Sequence, residues 1–201
     1  MNKEGFFFLR IFPLVFMLLV TVVCISVVTG LYLSTKDLVT ANENLYLRRT
    51  VLRAANVDFS DDFAEINRIY EQRVSLESTD ERTVYLVERQ DGSTSYVMPI
   101  IGPGLWGPIE VMVGFTEGFS QLTGIGILSQ NETPGLGARI EEDWYQSQFT
   151  GKEGPFTMVE EDAAADESEI NAITGATRTS VFMLDIMNRA VEIGPDVLGG
   201  I

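Results

Sequence analysis

The chain has 201 residues, room for one ordinary domain plus an anchoring segment. It contains no histidine and one cysteine, Cys24, which excludes a Ser-His-Asp or Cys-His catalytic arrangement and a His-ligated haem. With no cysteine beyond position 24, a Cys-ligated iron–sulfur cluster or zinc site in the later part is excluded too. The net charge is −15; residues 36–201 carry 12 of the 14 Lys and Arg and 28 of the 29 Asp and Glu, a balance of −16 that repels nucleic acid and anionic lipid.

Residues 11–35 hold no charged side chain and are rich in Val, Leu, Ile and Phe. As a helix rising about 1.5 Å per residue, such a run spans the roughly 30 Å of bilayer hydrocarbon. A cleaved signal peptide would carry a shorter apolar run of about 7–15 residues ending in small residues, so a single transmembrane helix is the reading preferred. Cys24, followed by Ile25 in mid-run, reads as a thiol facing lipid or a partner helix. Lys3 and Arg10 precede the span; Lys36, Arg48, Arg49 and Arg53 follow it. The positive-inside count therefore gives no firm orientation.

After the span, Leu38, Leu45, Val51 and Leu52 recur at helical spacing, which predicts a helical stalk. Ser60-Asp61-Asp62 offers an N-cap for a second helix with Phe63, Ile66, Ile69 and Tyr70 on one face. Residues 84–87 and 96–98 flank Gln90-Asp91-Gly92-Ser93 and read as a hairpin. Residues 109–115 and 122–128 read as further strands, 140–149 as a short helix, and 156–159 as another strand. The acidic, Ala-rich stretch 160–169 reads as a solvated loop or frayed helix; the runs 141–143 and 160–162, which as paired acids or a calcium site would need an alternating ligand spacing they lack, read as a solvated face. The expected fold is α+β: one transmembrane helix followed by a mixed helix and strand domain, divided as 1–35 tip and span, 36–80 stalk leading into the domain, and 81–201 the domain proper.

Three glycine-bearing segments stand out: Gly102-Pro-Gly-Leu-Trp-Gly107, Glu132-Thr-Pro-Gly-Leu-Gly137 and Thr174-Gly-Ala-Thr-Arg-Thr-Ser180. Glycines there permit positive φ and close backbone approach, which suits a ligand as well as it suits a plain turn. The third segment runs into Val181, Leu184, Met187 and Val191, an apolar stripe at helical spacing, so Thr177 sits just before a helix N-terminus. Thr177 is either an ordinary Ser/Thr cap or part of a phosphate site, with Thr174, Thr179 and Ser180 adding hydroxyls.

The segment Thr174-Gly-Ala-Thr177 resembles the [Ser/Thr]-Gly-Ala-Thr signature of the FMN-binding subunits of the Rnf and Nqr membrane redox complexes, whose last threonine is esterified to FMN phosphate. Glu132-Thr-Pro-Gly-Leu-Gly137 and Gly104-Leu-Trp-Gly107 are similar to two further signatures of these subunits, in the same order and spacing. The resemblance implies a phosphoester between Thr177 and FMN. Gly175, Ala176, Thr174, Thr179, Ser180, Glu132 and Gly137 then form the surroundings, Thr133 and Leu136 pack on the flavin ring, and Leu105 and Trp106 lie nearby. The family's attachment signature usually begins with Asp three residues before the Ser or Thr; here that position is Asn171, which keeps an acceptor oxygen without the charge. Asp166, Glu167 and Glu169 are acids nearby in sequence. Lys152, Arg178 and Arg139 are not assigned as flavin or phosphate partners.

By the same resemblance, the chain is an electron-relay subunit of an Rnf-type (ferredoxin:NAD) or Nqr-type (NADH:quinone) ion-translocating complex. Its partners are the other membrane and peripheral subunits, membrane lipid, and a flavin transferase that completes maturation. It is a single-pass protein of the cell inner membrane with its flavin domain extracytoplasmic, and it is not catalytic alone. Two alternatives stay open: a stand-alone membrane-anchored flavin reductase, and a non-redox assembly module whose glycine segments are only turns.

Overall fold

The computed structural model describes residues 11–79 and 82–199; of the tip and span expected over 1–35, the part before residue 11 lies outside them. The chain divides into two compact units, Met1–Asn44 and Leu45–Ile201. In the first, helix α1 (Phe12–Ala54) begins without a charged residue before Lys36 and is long and apolar enough to cross a membrane. Its side chains there are exposed, as a lipid-facing surface requires.

The second unit starts with the last turns of α1. Thr50, Val51, Leu52 and Ala54 are buried there, the last three packed with Tyr85, Val87, Val97 and Met112. Helix α2 (Phe63–Arg73) is capped by Asp62, whose side chain accepts from the Ala64 N–H. Ile66 is its buried residue, with Ile69 and Tyr70 partly buried; Phe63, predicted on the same face and the first residue of the helix, is exposed.

Five strands follow in an antiparallel meander: β1 (Val74–Thr79), β2 (Arg82–Glu88), β3 (Thr94–Pro103), β4 (Pro108–Phe115) and β5 (Leu122–Ser129). The β2–β3 turn forms as predicted, with Gly92 at φ +82° and Asp91 accepting from the Ser93 N–H and hydroxyl. Strand β1 is an addition to the strands that sequence pattern predicts. Strand β3 also runs on beyond the predicted 96–98, through Pro99 and Gly102. Its pairing with β2 stops at Val97, so Pro99 lies where one edge of the strand has no ladder to lose.

Both faces of the central strands are covered, and 122–127 are all buried. On one face the end of α1 comes down onto glycines. A Cβ on Gly114 would lie 2.1 Å from the Ala54 carbonyl oxygen, and one on Gly126 would lie 2.7 Å from a Thr50 methyl. The Thr123 and Ser95 hydroxyls donate to the last carbonyls of this segment, Ala54 O at 2.8 Å and Ala55 O at 3.2 Å.

The other face carries α4 (Thr177–Leu198). Its buried line is Met183, Ile186, Met187, Ala190 and Gly194; Ile186 packs directly on Gly102, and Gly194 on the Phe115 ring. The predicted stripe is thus rotated: Met187 is central, Leu184 and Val191 flank the contact, and Val181 is exposed. The helix expected at 140–149 is two pieces, a 3-10 turn (Gly137–Glu141) and α3 (Asp143–Ser147), because Glu142 is extended with ψ 143° and breaks the ladder between them. Strand β6 (Thr157–Val159) pairs in parallel with β7 (Glu169–Asn171), so the end of the predicted acidic loop is a strand.

Candidate functional site

The three glycine segments meet at one place. Gly104–Gly107 is the β3–β4 hairpin tip, closed by a 2.8 Å bond from the Gly104 N–H to the Gly107 carbonyl. Residues 132–137 leave β5 and turn through Gly135 at φ +74°, with the Leu136 and Ala138 N–H groups both donating to Thr133 O. Residues 173–177 leave β7 through Gly175 at φ +81° and start α4. Between them lies a cavity of about 360 Å³ lined by Leu105, Glu132, Thr133, Leu136, Gly137, Gly175, Ala176, Thr177, Arg178 and Thr179.

Glu132 joins the three segments. It is 5% exposed; its Oε1 accepts from the Leu105 N–H at 2.7 Å and the Trp106 N–H at 3.2 Å, and its Oε2 from the Thr179 hydroxyl at 2.6 Å. Two glycines make room for this carboxylate. A Cβ on Gly104 would approach Oε1 to 2.7 Å, and one on Gly137 would approach Oε2 to 2.7 Å and the Thr179 Oγ to 2.6 Å. These glycines are therefore demanded by close packing rather than by turn geometry.

Thr177 is the first residue of α4 and is exposed. The N-cap is Ala176, with no side-chain capping bond, and the first intrahelical bond runs from the Ser180 N–H to Ala176 O. The N–H groups of Thr177, Arg178 and Thr179 precede that bond and stand at the positive end of the helix dipole, where an anion is favoured. Leu105 and Leu136, each 44% exposed, give the cavity an apolar rim, and the Trp106 indole is 69% exposed with its N–H on Thr133 Oγ at 3.1 Å.

Three of the residues expected here are off the cavity wall. Trp106 stands outside it on its Thr133 bond, whereas Thr174 is exposed. Ser180 is 1% exposed and faces inward, where its hydroxyl accepts from the Ile173 N–H and donates to Ala176 O, bracing the loop from behind. Arg178, unassigned on sequence grounds, lines the cavity with its guanidinium over the Phe182 ring at 5.8 Å. Lys152 donates to Glu169 O.

Sequence pattern hides one residue of consequence, Glu161. It belongs to a run that reads as solvated, yet it accepts from Arg139 at 2.9 Å and from the Thr174 N–H at 2.7 Å. These bonds, Arg139 first, hold its carboxyl down to about 2. Asn171, the departure from the usual Asp, accepts from the Ala164 N–H at 2.9 Å while its backbone and the Gln148 amide exchange hydrogen bonds. Its side chain thus serves the 160–168 loop.

Residues 104–192 match the family described as the FMN-binding domain. The chain is 34% identical over 116 residues to a component of the proton-translocating ferredoxin:NAD(+) oxidoreductase complex of Clostridium ljungdahlii, covering 58% of this chain and 62% of that protein. It is 33% identical over 105 residues to a component of the Na(+)-translocating NADH-quinone reductase of Vibrio vulnificus, covering 48% of this chain and 41% of that protein. The matched segments thus span less than two thirds of these relatives. The crystal structure of the corresponding Na(+)-translocating NADH-quinone reductase component from Parabacteroides distasonis has the same fold, with a TM-score of 0.65 at 22% identity over 79% of this chain and 94% of that one. Residues 104–192 are thus an FMN-binding domain, and the chain around them is similar to components of the ferredoxin:NAD(+) oxidoreductase complexes and of the Na(+)-translocating NADH-quinone reductases.

Proposed function

We propose that this chain is an electron-transfer subunit of an ion-translocating membrane oxidoreductase, working through FMN held in the cavity of the three glycine segments and esterified through its phosphate to Thr177. The observation that carries the reading is the convergence of all three segments on one cavity with an exposed threonine hydroxyl at the first turn of α4. The residues fit such a group. Leu105 and Leu136 offer apolar contact for a flat ring, Thr133 adds a hydroxyl, and the uncapped α4 N-terminus offsets the single negative charge of a phosphodiester. FMN would supply the redox chemistry, since the chain has neither histidine nor, beyond position 24, cysteine for a metal centre.

The chain's own part is positional. Thr177 contributes its oxygen to an Oγ–P bond and takes no part in turnover. Glu132 and Ser180 hold the loops that surround it, and the leucines exclude water from one side. The apolar start of α1 anchors the chain in the inner membrane as a single pass, with the flavin domain extracytoplasmic, and the oxidoreductase's other subunits supply donor and acceptor.

Intact-mass measurement of protein co-produced with a flavin transferase tests the attachment. The expected result is one FMN phosphoester increment that Thr177→Ala removes. An increment that survives Thr177→Ala, or none at all in the unaltered chain, overturns it. Co-purification with further membrane subunits tests the assembly, and a lone, fully active flavoprotein would favour the stand-alone reductase instead.

A further inference from the structure

Glu132 is a buried carboxylate in the wall of the candidate flavin cavity, and among the described residues it forms no ion pair. Its three partners, the Leu105 and Trp106 N–H groups and the Thr179 hydroxyl, are all neutral donors, which offset its charge only in part. Arg178, the cation in the cavity lining, is exposed and stacked over Phe182, where water screens it. A fixed negative charge in the cavity wall therefore acts across little solvent, and its field is stronger than the same charge would exert at the surface.

We infer that Glu132 is a positioning residue whose charge sets the cofactor's redox poise, lowering the reduction potential of flavin bound in the cavity. This rests on the flavin reading above. An added electron brings negative charge close to one already present, and the repulsion disfavours reduction; the same carboxylate keeps the hairpin tip and the start of α4 at fixed spacing. Thr179 moderates the effect by donating to Oε2.

The two residues make opposite predictions, which a purely structural role does not. Glu132→Gln removes the charge and keeps an acceptor oxygen for the two N–H groups, while Thr179→Val removes a donor and keeps the charge. In spectroelectrochemical titration of the detergent-purified, flavin-loaded full chain, the midpoint potential should rise in Glu132→Gln and fall in Thr179→Val. Potentials that stay at the unaltered value, or that move in the same direction, overturn the inference. A thermal melt checks that Glu132→Gln is folded; if it is not, the sign of the Thr179→Val shift decides alone. An unaltered chain that takes up no flavin overturns the functional reading and this one with it, whereas a loaded chain with unmoved potentials overturns only this one.

Discussion

The Thr179 hydroxyl donates to the Glu132 carboxylate at 2.6 Å, joining the loop after β5 to the first turn of α4 across 47 residues of sequence. With the Leu105 and Trp106 N–H groups on the other oxygen, this one side chain fixes the spacing of all three segments that surround the cavity.

Truncating it is costly. Glu132→Ala takes the acceptor from three donors, the buried Thr179 hydroxyl and the part-buried Leu105 and Trp106 N–H groups; a buried orphan costs about 1–3 kcal/mol, and solvent serves the other two only in part. A loss on the order of 3 kcal/mol is expected in urea unfolding of the domain. Glu132→Gln should lose far less, because an amide oxygen still serves the two N–H groups and its NH₂ can donate to the Thr179 oxygen.

Gly137 and Gly135 separate steric from conformational demand within one turn. Gly137→Ala drives a methyl to within 2.7 Å of the Glu132 Oε2, where the carboxylate cannot retreat without losing Thr179. Overpacking of this kind costs about 1–3 kcal/mol and should also open the cavity. At Gly135 nothing crowds the added carbon, and the cost comes only from φ +74°, about 1 kcal/mol. Flavin loading is therefore expected to fall sharply in Gly137→Ala and little in Gly135→Ala, read as flavin absorbance per protein.

Glu161 gives the candidate site a defined acid limit. Its folded carboxyl is held at about 2, below the ordinary 4.5, by Arg139 first and then by Thr174. A depressed carboxyl stabilises the fold above its unfolded value, and that contribution is lost as pH falls from about 4.5 towards 2. The protection of the Thr174 amide, the factor by which its exchange is slowed relative to a free amide at the same pH, should therefore fall over that window. In Glu161→Gln that pH-dependent loss should be absent, with protection already lower at neutral pH.

What sequence reveals and what it hides divide along physical lines. The apolar run of α1, the Asp62 cap, the Asp91-Gly92 turn and strands β4 and β5 rest on local pattern, and all are present. Motifs likewise brought out the three glycine segments. Hidden features depend on contacts made across the fold. Strand β7 exists because Thr157 and its neighbours pair with it, and α3 is cut from the 3-10 turn by one extended residue. The buried face of α4 is chosen by Gly102 and Phe115 on the sheet. Glu161 reads as one acid in a solvated run because Arg139 and Thr174, which give it a role, are 22 and 13 residues away. Glycine spacing indicated a ligand or a turn, whereas the crowding of Gly104 and Gly137 against one carboxylate is legible only in three dimensions.

Asn171 is where sequence raised the sharpest question, since an acid usually stands there in the attachment signature. Its Oδ1 accepts from the Ala164 N–H, and its backbone is held by Gln148, so the position works by acceptance of one hydrogen bond in the loop beside β7. An amide oxygen does this as well as a carboxylate does. Asn171→Asp should accordingly leave thermal stability and the extent of the flavin attachment proposed at Thr177 close to those of the unaltered chain. Asn171→Ala should free the Ala164 N–H, cost about 1 kcal/mol for the lost hydrogen bond, and loosen the 160–168 segment from which Glu161 reaches Thr174. Attachment followed over time with the transferase distinguishes the two variants. If Asn171→Asp proves several-fold faster than the unaltered chain, the charge itself matters to the modifying enzyme, and the hydrogen-bond account of this position fails.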